Sequence, residues 1–247
     1  MPRVLVLSDL HLRSTAEGRV RGVETRRGLL RALRHAAGQG PFDRLVLTGD
    51  LAEEPLHDTY LALREALAGF PEPLVLAGNH DALPELCDVF PRRAEAHDGR
   101  VGFVDEVGGW RLIGLDSHFR RQVRGRLGNP QLAWLARALE SDPRPVVLFV
   151  HHPPVRVDTW WLDGSRLADA DGLAAVIAHR GRVRAVVHGH VHMASEGALA
   201  GARVLGVPST AFPFAPRSLL PRRAGDAAGY RILELGDDSF ASSAITV

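Results

Sequence analysis

Five short apolar runs constrain this chain more than any other feature, because each of them ends in a polar cluster of the same chemical kind. Val4-Leu5-Val6-Leu7 leads into Asp9-Leu10-His11, Leu45-Val46-Leu47 into Gly49-Asp50, and Leu74-Val75-Leu76 into Gly78-Asn79-His80-Asp81. Val146-Val147-Leu148-Phe149-Val150 leads into His151-His152, and Ala185-Val186-Val187 into His188-Gly189-His190-Val191-His192. Runs this short, rich in Val and Leu and bounded by Gly or Asp, predict buried parallel strands rather than helices. Functional groups of α/β sheets collect at the carboxyl ends of the strands. Clusters of His, Asp and Asn at five such ends predict one shared metal site.

The intervening segments fit that frame. Glu24 to Ala37 places Leu29, Leu30, Leu33 and Ala37 at helical spacing before Gly38, and Asp58 to Leu67 repeats the pattern with Tyr60, Leu61, Leu63 and Leu67. These are β-α-β crossovers. Arg100 to Glu106 and Trp110 to Leu115 read as a hairpin joined at Val107-Gly108-Gly109. One further helix starts at Asn129-Pro130, with Leu132, Leu135, Ala136 and Leu139 inward, and another spans Asp169 to His179. Beyond His192 come short β segments at Gly197 to Leu199, Ala202 to Val207, Tyr230 to Leu235 and Phe240 to Val247, with a long loop over Pro208 to Pro221. A parallel first part and an antiparallel last part predict a mixed α/β fold: two mixed β-sheets packed as a sandwich and flanked by helices. No composition shift divides Asp9 from His192, so residues 1–247 read as a single domain.

Charge and cysteine usage narrow the partners. The net charge of +1 supplies no basic field for nucleic acid, and every basic side chain is Arg, with no Lys. Cys87, the sole cysteine, excludes an intramolecular disulfide and reads as a small buried hydrophobe on a helix in a reducing compartment. Met1 leads straight into a strand, without room for a signal peptide, and no run reaches the roughly 20 apolar residues of a membrane span. A cytoplasmic protein without membrane or nucleic-acid partners is expected.

The candidate ligands are Asp9, His11, Asp50, Asn79, His151, His190 and His192. Their N and O donors suit Fe, Mn or Zn and disfavour a thiolate-preferring metal. Seven side chains exceed what one ion takes while keeping a position open, whereas two ions about 3.5–4 Å apart use them naturally. His152 and His188 alternate away from the ligands and read as buried support; His35, His57, His97, His118 and His179 carry no spacing argument and read as surface residues. Trp160 and Trp161 read as loop packing, with base stacking as the alternative. Arg120, Arg121, Arg124 and Arg126 read as a solvated face, and Arg13 is a secondary candidate for a phosphate contact.

Asp-x-His, Gly-Asp, Gly-Asn-His-Asp, His and Gly-His-x-His, in that order, resemble the calcineurin-like metallophosphoesterase superfamily. Glu17-Gly18-Arg19 to Thr25, Leu115-Asp116-Ser117, Gln131-Leu132-x-Trp134-Leu135, His151-His152-Pro153-Pro154, Leu162-Asp163 and Pro208-Ser209-Thr210-x-Phe212 are similar to the bacterial class III cyclic nucleotide phosphodiesterases, over nearly the whole chain. The resemblance implies a four-layer αββα sandwich. It also implies one metal on Asp9, His11, Asp50 and His192 and a second on Asp50, Asn79, His151 and His190, with Asp50 bridging. The implied reaction is in-line attack of a metal-bridging hydroxide on a phosphodiester, with 3′,5′-cyclic AMP the first substrate to test. His11, Asp50, Asn79, His80 and His192 would face the substrate, His80 would act at the phosphate or leaving oxygen, and Asp81 would orient His80 as second catalytic residue. Related enzymes imply a homodimer or larger assembly. Alternatives are a permissive enzyme acting on glycerophosphodiesters or 2′,3′-cyclic nucleotides, a nuclease of the same superfamily, and a non-catalytic scaffold; the last fits poorly with seven occupied ligand positions. Glu53 departs from the pattern where Asp is commoner, as does Pro213 where a polar residue is more usual.

Overall fold

The computed structural model describes residues 1–91, 102–119, 122–237 and 239–247. Arg100, His97, Arg120 and Arg121 lie outside the described residues. The chain runs β1 (Arg3–Leu7), β2 (Arg19–Val20), β3 (Val23–Glu24), α1 (Thr25–Ala37), β4 (Arg44–Thr48), α2 (His57–Ala66), β5 (Pro73–Leu76) and α3 (Leu83–Val89). It continues through β6 (Phe103–Val107), β7 (Trp110–Leu115), α4 (Asn129–Glu140), β8 (Val146–Val150), α5 (Trp160–Asp163), α6 (Ala170–Arg180) and β9 (Val183–His188). The last strands are β10 (Ser195–Leu199), β11 (Ala202–Gly206), β12 (Gly229–Leu235) and β13 (Phe240–Thr246).

Two mixed sheets form, in the orders β13-β12-β1-β4-β5 and β10-β11-β9-β8-β7-β6. In the first, β1, β4 and β5 are parallel and β12 runs antiparallel against β1. In the second, β7, β8, β9 and β11 are parallel, edged by antiparallel β6 and β10. The five strands that lead into candidate ligands are thus divided, three in one sheet and two in the other.

The alternation along each strand makes this a four-layer sandwich, because successive side chains point to opposite faces. Val4, Val6, Val46 and Leu76 face the other sheet and meet Phe149, Val187 and Leu205 in the central core. Leu5, Leu7, Leu45 and Leu47 point the other way, onto Leu29 and Leu33 of α1, Tyr60 and Leu63 of α2 and Leu86 of α3. On the far side of the second sheet, Leu148, Val150 and Val186 pack against Leu135 and Leu139 of α4 and Leu173 and Ile177 of α6. Strands buried on both faces must be apolar throughout, which is why these runs do not alternate with polar residues. Cys87 lies on α3, partly buried.

Candidate metal centre

At the shared edge of the two sheets the ligand loops are stitched to one another. Past the end of β1, Asp9 and His11 donate their backbone N–H groups to the carbonyls of Gly49 and Asp50, 3.0 Å each. Across the sheets, the Asp9 carboxylate accepts the His190 backbone N–H (2.9 and 3.1 Å) and the Thr48 carbonyl accepts His151 Nδ1 (2.8 Å). Such approach needs glycine: a Cβ on Gly49, whose φ is +99°, would lie 2.7 Å from His151 Nδ1, and one on Gly189 would overlap Ser8 Oγ. The turns are sharp enough that Asp9, His11, Asp50, His190 and His192 themselves hold left-handed φ values of 53°, 46°, 51°, 68° and 55°. Each such non-glycine residue costs about 1–3 kcal/mol, a strain that proteins sustain mainly at functional sites.

Each histidine has one ring nitrogen committed to the protein. His151 Nδ1 and His192 Nδ1 sit 2.8 and 2.9 Å from the carbonyls of Thr48 and Phe212, and His11 Nδ1 lies 2.9 Å from Glu53 Oε2. Carbonyls and carboxylates only accept, so those nitrogens carry the proton and Nε2 keeps a lone pair. His190 is reversed. Ser165 Oγ donates to the Leu162 carbonyl at 2.9 Å and therefore accepts from His190 Nε2 at 2.8 Å, which leaves the lone pair on Nδ1. Fixing the tautomer through the second nitrogen is how proteins aim histidines at metals.

The lone pairs converge. His11 Nε2 lies 3.1 Å from His192 Nε2, and His192 Nε2 lies 3.5 Å from Asp9 Oδ1. Asp50 Oδ2 sits between two groups, 3.8 Å from His11 Nε2 and 3.3 Å from His151 Nε2. His151 Nε2 and Asn79 Oδ1 are buried without a hydrogen bond among the described residues. Nitrogens packed at 3.1 Å without room for water, together with orphaned buried acceptors, are what a site shaped around cations leaves behind. The N/O donors gather into groups that could hold metal, among them Asp9 with His11 and His192, and Asp9 with Asp50 and His151.

Electrostatics point the same way. Burial lifts the Asp9 carboxyl to about 6. Burial opposes ionisation of Asp50 as well, yet His151, His11 and His80 hold it well below the usual carboxylate range. Burial, with the neighbouring His151 charge, depresses His190 to about 3, and burial with His11 depresses His192 far below the ordinary imidazole value. Burial disfavours the charged His151 ring too, but Asp50 and Asp9 outweigh it and lift the group to about 9, so of these three imidazoles His190 and His192 stand neutral while His151 would give up its proton on ligating a cation.

Two expectations change. The sequence reading gives Asp81 the task of orienting His80, but the Asp81 carboxylate is buried among other donors. It accepts from the backbone N–H groups of Leu51, Ala52 and Gly78 and from the Tyr60 hydroxyl, at 2.8–3.2 Å. The carboxylate on the His80 ring is that of Glu53, whose Oε2 lies 3.1 Å from His80 Nδ1 and 2.9 Å from His11 Nδ1. Burial disfavours the charged His80 ring, but Glu53 and Asp50 outweigh it and lift the group to about 9. Adjacent residues in a tight turn diverge, so the acid next to His80 in sequence turns under the loops while one 27 positions away reaches it. Arg13 pairs with Glu54 rather than facing the cleft. His152 is buried beside His151 and His190, but its nitrogens are taken by Ser117 Oγ (2.8 Å) and the Val123 carbonyl (3.0 Å). His188 is likewise buried. Of the tryptophans, Trp161 lines the cleft and Trp160 is 70% exposed. The sequence reading missed Ser165 and the carbonyls of Thr48 and Phe212, and no motif announces contacts so distant along the chain.

Two mixed sheets with helices outside and buried His, Asp and Asn at their joined strand ends define a metallohydrolase-type αββα sandwich. The calcineurin-like phosphoesterase family profile matches residues 2–194, and the chain belongs to that family. It is 35% identical over 236 residues to a probable cyclic nucleotide phosphodiesterase of Synechococcus, covering 94% of this chain and 87% of that one. It is 34% identical over 241 residues to the 3′,5′-cyclic adenosine monophosphate phosphodiesterase of Escherichia coli K12, covering 96% and 86%. In fold it is similar to a dimetal phosphatase of Danio rerio, with a TM-score of 0.67, 14% identity and 99% and 98% of the two chains covered. Among the described residues no helix is long and apolar enough to cross a membrane.

Proposed function

We propose that this chain is a single-domain, binuclear phosphodiesterase whose first substrate to test is 3′,5′-cyclic AMP. The observation that carries the reading is the converging set of imidazole lone pairs around Asp50, each aimed by a protein acceptor on the other ring nitrogen. Asp9, His11, Asp50 and His192 would hold one ion, and Asp50, Asn79, His151 and His190 the other. When bound, the two cations supply Lewis acidity that makes a water nucleophilic near neutral pH and offsets phosphoryl charge. Fe, Mn or Zn suits the donors.

The chain's own residues supply the rest. Burial of Asp9, His151 and His190 keeps bulk water from the ligands. His80 is 39% exposed at the cleft, and its Nδ1–H rests on Glu53, so Nε2 is the nitrogen available to a phosphate or a leaving oxygen. A protonated imidazole there binds a phosphoryl oxygen and can give its proton to the departing alkoxide. Glu53 holds that ring and His11 in one arrangement. The names of the relatives support the diester and the cyclic nucleotide. A cytoplasmic location fits the single cysteine.

The deciding experiment is a panel on metal-reconstituted protein: cyclic AMP, cyclic GMP, 2′,3′-cyclic AMP, a glycerophosphodiester and a phosphomonoester. Turnover of cyclic AMP above the others is expected. A strict preference for the monoester rejects the phosphodiesterase reading; metal content near zero in protein purified without chelator revives the scaffold, and about two metals per chain retires it.

A further inference from the structure

The cleft of about 440 Å³ has two unlike walls. One carries the candidate ligands with His80; the other carries Arg21, Trp161 and Phe214. Its volume exceeds what a phosphate group needs and lies in the range of about 300–1,000 Å³ seen where proteins enclose drug-sized molecules. The second wall starts at the metal centre itself. The His192 ring lies 4.4 Å from that of Phe214 at a 34° tilt, and Phe214 meets Trp161 edge-on at 4.7 Å.

Arg21 lies against this wall. Its guanidinium carbon lies 5.6 Å from the Phe214 ring centre. The residue sits at the tip of the β2–β3 hairpin, where Arg21 and Gly22 form a two-residue turn with φ of 49° and 84°. Turns of this kind favour Asn, Asp or Gly at the first position, and a long side chain there is strained. The hairpin is held firmly all the same: Arg19 pairs with Glu24, and Val20 packs with Phe212 and Phe214. A strained position on a fixed hairpin, with its cation over an aromatic ring at the mouth of the cleft, is a placement that turn chemistry alone would not choose.

Resting on the phosphodiesterase reading above, we infer that Arg21, seated on Phe214, forms the nucleobase-binding wall of the cleft and is its specificity-determining residue, with Phe214 as its positioning residue. The exposed guanidinium plane stacks on a base, whichever base it is, while Phe214, buried between His192 and Arg21, holds that plane in position. A glycerol or ethanolamine headgroup carries the same phosphodiester but no plane to stack. The wall therefore separates nucleotide diesters from aliphatic ones, while the metal-side wall treats their phosphates alike.

The test compares AMP with ribose 5-phosphate, which lacks the base, by equilibrium binding to the metal-loaded protein. It also compares kcat/KM for cyclic AMP and for the base-free cyclic phosphate of 1-deoxyribose. The variants are Arg21→Asn, which keeps a residue tolerant of the left-handed turn, and Phe214→Leu, which keeps an apolar filler; thermal unfolding checks that both fold. Wild type is expected to favour the base-bearing ligand by about tenfold to a hundredfold, and each variant to bring that ratio to within threefold of unity. A wild-type ratio near one, or a ratio retained in either variant, overturns the inference. Preferential AMP binding without hydrolysis of any diester would reject the phosphodiesterase reading and uphold the wall.

Discussion

Replacing Asp81 with Asn separates the structural account of that residue from the one its sequence position invites. Oδ1 accepts from Leu51 N (3.0 Å), Ala52 N (3.1 Å) and Tyr60 Oη (3.0 Å), while Oδ2 accepts from Gly78 N at 2.8 Å. An asparagine can present its carbonyl at only one of these places. With the carbonyl at Oδ1 it keeps three donors and turns its NH₂ against the Gly78 N–H. That loses a bond to a charged group, worth roughly 1.5–3 kcal/mol, and strands a buried donor at about 1–3 kcal/mol more. Part is returned, because burial already raises the Asp81 pKa and a neutral amide is easier to bury. A net loss of about 3 kcal/mol follows, equivalent to roughly 6–12 °C in Tm for a chain of this size. The readout is thermal unfolding of chelated and metal-loaded protein, with metal content measured alongside, since Asp81 ties the Asp50 loop to the Asn79 loop. A Tm within 2 °C of wild type together with a tenfold or greater fall in kcat would return Asp81 to the role of orienting His80 and refute this reasoning.

Other outcomes follow from the same contacts. Ser165→Ala removes the acceptor that fixes the His190 tautomer, so metal affinity should drop about 10- to 100-fold in a chelator competition; an unchanged affinity would mean that Ser165 only packs. His80→Ala should slow diesters with poor leaving groups more than a nitrophenyl ester, with Glu53→Gln doing the same to a smaller degree, and equal losses on both substrates would remove the acid role. Stripping the metals should lower the Tm, because an ion at a hundred times its Kd adds about 2.7 kcal/mol per site. Identical unfolding curves with and without chelator would count against a metal centre.

Much of the fold was legible because the strands are buried on both faces, and Val4 to Leu7 or Val146 to Val150 had no alternative to being apolar. The helices were equally plain: Leu29 and Leu33, or Leu135 and Leu139, are spaced to cover such strands. What could not be read was which sheet each ligand strand joins, since the choice between pairing β1 with β4 or with β8 depends on connections spread over the whole chain. The candidate ligands were visible as residue types at strand ends. Their aiming was not, because Thr48 and Phe212 act through backbone carbonyls that carry no sequence signature. Asp81 shows the limit most clearly: one peptide bond from His80, it points elsewhere, and local adjacency misassigned it. The β2–β3 hairpin escaped for a related reason, as Arg-Gly is not among the dipeptides that favour a two-residue turn.

The order of strands in the first sheet has a consequence for how the protein matures. β1, which precedes Asp9 and His11, lies between β4 and β12, and β12 is made of residues 229–235. During synthesis from the N-terminus, β1 therefore waits with one edge unpaired until residues 229–235 have been made. His190 and His192 arrive late as well. Until residue 192 has been made, a nascent chain can gather at most part of the candidate ligand set.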